Sequence, residues 1–155
     1  MKVEAGTITV RNRRRFWFLK WGQRDADIAL NTSIPWQIEI RGGAAEVAAD
    51  LRGIDLIELN VSYGMSSVDL KLPIPSGTVP FRVSGGVSSV DIHYPAGVPV
   101  RVRFTGWASA IQFDDELLTG IQNDLQFQSP GYEAAAGRYD IEISGNANMV
   151  NISAL

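Results

Sequence analysis

The stretches "GMSSVDLKLP" (64–73) and "GVSSVDIHYP" (86–95) say nearly the same thing 22 residues apart, and the interval recurs along the chain. Gly22, Gly43, Gly64 and Gly86 follow one another at 21 or 22 residues, Trp107 stands 21 further on, and Asn146 lies another 39 beyond, one period plus an insertion of 18. A sustained period of this length is the signature of a solenoid, in which each repeat buries its apolar face by stacking on its neighbours.

The residues at fixed offsets from these anchors say what the repeat is made of. Five before them stand Trp17, Ile38, Leu59, Phe81, Val102 and Ile141; three before, Leu19, Ile40, Val61, Val83, Phe104 and Ile143. Four after come Ala26, Val47, Val68, Val90, Ile111 and Val150; six after, Ile28, Ala49, Leu70, Ile92, Phe113 and Ile152. All 24 are apolar, whereas the positions four before (Phe18, Glu39, Asn60, Arg82, Arg103, Glu142) and five after (Asp27, Ala48, Asp69, Asp91, Gln112, Asn151) are polar in ten of 12 cases. Alternation with period two means strands with one buried face. Each repeat is therefore two short strands hinged at the anchor, where glycine supplies backbone angles that other residues resist. Pro73 and Pro95 close the second strand, since proline removes a ladder donor.

A repeat of this length leaves no room for a helix beside two strands. The expected fold is all-β: a single-stranded β-helix of about six coils, with equivalent residues stacked about 4.8 Å apart. A β-sandwich of hairpins is the alternative, but it needs no shared offsets. The 155 residues form a single domain. Within it the reading places N-terminal strands and the first coil in 1–34, regular coils in 35–113, an insertion in 114–138 and the final coil in 139–155.

The segments "IEIRGGAAEVAADL", "LNVSYGMSSVDLKLP", "FRVSGGVSSVDIHYP" and "VRFTGWASAIQF" resemble the toast-rack domains. These include the C-terminal domain of LiaF-type proteins of bacterial cell-envelope stress systems and related adhesin domains. "SPGYEAAAGRYDIEISGNANMVNI" is similar to the family's ending, where a proline and an aromatic precede the last coil. The resemblance covers about residues 35–155. It implies a right-handed β-helix in an envelope-associated bacterial protein that senses, scaffolds or regulates by contact.

Chemistry-bearing constellations are few. The lone histidine, His93, lies on the outward phase two residues after Asp91, and Asp69 and Lys71 hold the equivalent positions one coil earlier. Stacking would gather Asp69, Lys71, Asp91 and His93 into one polar patch. Paired carboxylates suit acid–base work or a calcium site, but an exposed quartet without a cleft reads first as a solvated sheet face. The serines at 66–67 and 88–89 are expected to bond local backbone, and "DDELLTG" (114–120) to form an acidic loop rather than a metal site. "RGGAAE" and "SGGVSS" lack the lysine and following helix of a phosphate loop. With no cysteine there is no thiolate metal site, and no catalytic, cofactor or metal residue is assigned.

Net charge is −3, yet residues 1–24 hold seven bases and one acid. In "RNRRRFWFLKW" the outward Phe16 and Phe18 stand beside Arg13, Arg14 and Arg15 as a candidate interaction surface. Such a segment suits a covering strand, a partner subunit or an anionic membrane surface. An acidic chain does not suit nucleic acid. No apolar run approaches a membrane span, and "MKVEAGTITV" lacks a signal-peptide core. The expected location is envelope-associated or cytoplasmic in a bacterium. The expected function is a non-enzymatic interaction or scaffold module with a protein partner or itself, without cofactor or small-molecule substrate. A carbohydrate-active or calcium-binding β-helix and a self-assembling scaffold are the alternatives.

Overall fold

The computed structural model describes residues 2–4, 7–9, 28–41, 46–62, 64–122 and 124–155. The anchors Gly22 and Gly43, and most of the expected first coil, lie outside these residues. A short antiparallel pair, β1 (Lys2–Glu4) and β2 (Thr7–Thr9), opens the chain.

The coils follow. Each has a first limb and a second limb: β3 (Pro35–Arg41) and β4 (Glu46–Asp50), β5 (Asp55–Ser62) and β6 (Met65–Lys71), β7 (Thr78–Ser84) and β8 (Val87–Tyr94). In β9 (Val100–Phe113) and the last strand both limbs belong to one long bent strand. The coils pair in parallel, and the register is that of the sequence offsets. Ile38 lies beside Leu59, Leu59 beside Phe81, Phe81 beside Ile141 and Ile141 beside Val102. On the second limb Val47, Val68, Val90, Val150 and Ile111 form the matching row. In-register parallel pairing is what a β-helix makes and a sandwich of hairpins does not. The inward rows merge into one core, in which Leu59, Val68, Leu70, Phe81, Val90, Ile141 and Ile152 are fully buried. Each such side chain stabilises the fold by about 1.5–3 kcal/mol.

The order of coils in space departs from their order in the chain. Strands β10 (Glu116–Ile121) and β11 (Leu125–Gln128) and a single 3-10 turn (Tyr132–Ala134) intervene before β12 (Arg138–Ala154). β12 then enters between the β7–β8 coil and β9, pairing in parallel with both. The last coil in sequence is thus the second from the end of the stack. Strands β10 and β11 turn back antiparallel along β9, β10 covering its second limb and β11 its first. They are short and carry Glu116 and Gln128 at their ends, and Asp115 and Asp124 flank them, a pattern that protects a sheet edge. Asp114, the turn residue before β10, has φ 49° and stitches this end together. It accepts hydrogen bonds from the Tyr94 hydroxyl at 2.6 Å and the Ala154 amide at 3.0 Å.

The bend sits one residue before the sequence anchors. Gly106 and Gly145 have φ +139° and +125°, and a Cβ on Gly106 would meet the Gly145 carbonyl oxygen at 2.0 Å. A Cβ on Gly145 would meet the Gly85 carbonyl oxygen at 2.2 Å. The corners stack so closely that only a hydrogen fits, whereas Gly86, the nominal anchor, has open space around it.

Candidate contact surfaces on the two limbs

The polar patch expected from the repeat forms on the second limb. Asp69 pairs with Asp91 and Lys71 with His93 across β6 and β8, and β12 extends the rows with Asn151 and Ser153. Ser89 Oγ donates to one oxygen of Asp91 at 2.8 Å, and Asn151 Nδ2 donates to the other at 3.3 Å. The serine hydroxyl thus serves a side chain on its own strand, not the turn backbone expected from sequence. His93 Nδ1 lies 3.1 Å from Ser153 Oγ, and its Nε2 lies 3.9 Å from Asp69 Oδ1. Asp69 Oδ1 has no hydrogen-bond partner among the described residues. A shallow recess of about 170 Å³ opens beside Asp69, Lys71, Asp50 and Ala48. Asp50 itself is held by Arg52 at 2.6 and 2.9 Å, and that hydrogen bonding lowers its pKa to about 2.

Serine, histidine and aspartate in line have the residue types of a nucleophile triad but not its geometry. The histidine–aspartate separation exceeds a hydrogen bond. The neighbouring backbone N–H groups belong to parallel ladders, so none converges as an oxyanion donor. Leu117 on β10 and Met149 on β12 add exposed apolar area to the same limb, at 56% and 39% exposure.

The first limb is built differently, and sequence reading by offsets missed its network. Arg82 lies between Glu58, at 2.9 Å, and Glu142, at 3.8 Å. Arg101 grips Asp140 with two hydrogen bonds of 2.7 and 3.1 Å, and Arg103 approaches the same carboxylate at 3.5 Å. The hydrogen bonds from Arg101 hold the Asp140 carboxyl below the usual aspartate range, against the opposing effect of burial, with Arg103 and Arg82 adding attraction. Tyr132, buried at 1% exposure, has its ring between Arg101 and Arg138, with the guanidinium carbons 4.7 and 4.8 Å from its centroid. Arg138 also donates to the Tyr132 and Glu133 carbonyls, locking the turn that delivers β12. Burial pushes the Tyr132 hydroxyl pKa up. A signal was available: at the position four before the anchors, Arg82 and Arg103 would abut if coils stacked in chain order, and Glu142 is the residue that separates them.

The basic–aromatic surface of Arg13, Arg14, Arg15, Phe16 and Phe18 lies outside the described residues. Among the described residues no helix is long and apolar enough to cross a membrane.

Comparison with known proteins agrees with this architecture. No curated protein matches the sequence. Among solved structures the chain is similar to a "putative cell adhesion protein" from Clostridium sporogenes ATCC 15579, with TM-score 0.69 and 25% identity. The likeness covers 81% of this chain and 58% of that one, so this chain spans under two thirds of that protein's length. Residues 1–93, from β1 into β8, match the family profile described as the N-terminal domain of toast_rack, DUF2154. With its bent strands stacked in register behind this matching region, the chain belongs to the toast-rack family.

Proposed function

We propose that this toast-rack domain is a non-enzymatic contact module of the bacterial cell envelope, and that its second-limb face receives a protein partner. The observation that carries this reading is the row of Asp69 and Asp91, side by side on an open sheet face with Lys71 as the nearest lysine. Stacked carboxylates without a guanidinium partner among the described residues favour a basic surface on the other molecule. The exposed Met149 on β12, and Leu117 further across the same limb on β10, supply apolar area for the same contact. The cell-adhesion description of the structural neighbour supports an envelope setting. The likeness to LiaF-type segments supports a regulatory contact in envelope stress.

Fractionation of the native bacterium tests this reading. The expected result is that the chain sediments with the envelope, and that an Asp69→Lys/Asp91→Lys variant is released while retaining its thermal stability. A wild-type chain found wholly in the cytosolic fraction, or a variant retained as well as wild type, would overturn it.

A further inference from the structure

The outward face of the first limb carries a groove of about 360 Å³. Its lining includes Asn60, Ser62, Arg82, Ser84, Glu142 and Ser144. Ser62, Ser84 and Ser144 occupy consecutive positions on β5, β7 and β12. We propose that this groove binds a neutral saccharide chain laid across the strands.

The ligand class follows from the lining by elimination and by fit. Each charge in the groove has a partner of opposite sign, Glu58 and Glu142 sharing Arg82 and Glu39 accepting from Arg41, which leaves one carboxylate in excess. A phosphate would be repelled by the excess carboxylate, and a metal cation would have to displace a guanidinium from these carboxylates to take them as ligands. An apolar ligand would strip water from carboxylates, a guanidinium and hydroxyls without replacing their hydrogen bonds. The hydroxyls of Ser62, Ser84 and Ser144 are in no hydrogen bond among the described residues. Each can donate and accept. The Asn60 amide nitrogen is tied to Glu58 at 2.9 Å, which leaves its carbonyl oxygen as an acceptor. Arg82 is hydrogen-bonded to Glu58 at 2.9 Å, which orients its guanidinium before a ligand arrives. Hydroxyls repeating about every 4.8 Å across the strands match a ligand that presents hydroxyl groups along its length, as a sugar chain does. The inference concerns the opposite limb from the proposed protein contact and does not depend on it.

Titration of the isotope-labelled chain with cellohexaose and chitohexaose, followed by amide NMR, tests the proposal, with oligogalacturonate as the charged control. The expected result is saturable shifts at Asn60, Ser84 and Ser144 with at least one neutral sugar. Binding should weaken about fivefold or more in Ser84→Ala/Ser144→Ala, with the melting temperature unchanged. Three results would overturn it: no saturable shift at the groove with either neutral sugar, equal binding by the variant, or shifts confined to the second limb or to the charged control.

Discussion

On the first limb, acids and bases interleave across the stack: Glu58 and Glu142 flank Arg82, and Asp140 sits with Arg101 and Arg103. On the second limb, Asp69 lies against Asp91, and relief comes from neutral groups, Ser89 and Asn151. Both limbs share one backbone architecture and one apolar code, so the difference is confined to outward side chains. A solenoid repeats whatever its repeat carries, and like charges stack unless something intervenes. β12 is what intervenes, and it contributes acids to the first limb but amides and hydroxyls to the second. One face neutralises most of its charge within the protein; the other leaves like charges side by side.

The largest expected effect comes from the corner that sets both registers. Gly145→Ala puts a Cβ against the Gly85 carbonyl at 2.2 Å in a left-handed conformation. The loss should be about 3 kcal/mol or more, read by chemical denaturation; wild-type stability would mean that β12 does not lie where the comparison needs it. Next comes Asp140→Asn, which removes a charge-assisted pair at 2.7 Å and should cost about 2 kcal/mol. The pH dependence has a definite sign. The folded-state pKa of Asp140 is depressed by Arg101, so its stabilisation is fully present above the ordinary aspartate value near 3.9 and is lost as pH falls through the folded value. Melting temperatures between neutral pH and about pH 2 should therefore fall more steeply in wild type than in the variant. A parallel decline would show the pair to contribute nothing.

Smaller still is a matched pair of charge changes. Glu142→Lys inserts a third base between Arg82 and Arg103 and should cost about 1 kcal/mol. Asn151→Lys brings a base beside Asp91 and should change stability by less than about 0.5 kcal/mol. Equal losses would erase the distinction between the limbs. The smallest effect is Asp69→Asn, which relieves the stacked acids; a gain of a few tenths of a kcal/mol is expected, and it should shrink as salt is added.

Much of this was legible in the residues. The rows through Ile38, Leu59 and Phe81 and through Val47, Val68 and Val90 are the offsets read directly, because the parallel ladders hold their register through these rows, the bulge between Trp36 and Gln37 falling before them. The Asp69–Asp91 and Lys71–His93 pairs follow from the same arithmetic. The position of β12 did not follow, since offsets assign a residue to a row but not to a place within it. The bend was placed on the anchors rather than on Gly85, Gly106 and Gly145 because Gly85 and Gly86 are adjacent and spacing alone does not choose between them. The roles of Tyr132 and Asp114 depend on the turns that carry β12 into its slot, and these lie in the one segment where the period lapses.

The late arrival of β12 matters for how the chain is made. Synthesis proceeds from the N-terminus, so β9 leaves the ribosome well before the strand that belongs between it and β7–β8. In that interval the offsets of β9 match those of β7 and β8, and nothing in the apolar code forbids a premature embrace. Such a pairing would set Arg82 against Arg103, the two bases that Glu142 separates in the native stack. The native stack has the last 17-residue strand between β9 and the β7–β8 coil, so it is incomplete without it. A fragment ending at His93, where the family match ends, would keep the outer edges of β7 and β8 bare. Expressed alone it should aggregate, and a separately added peptide of residues 94–155 should rescue it. A soluble, cooperatively melting fragment would show that the coils mature one at a time as they are made.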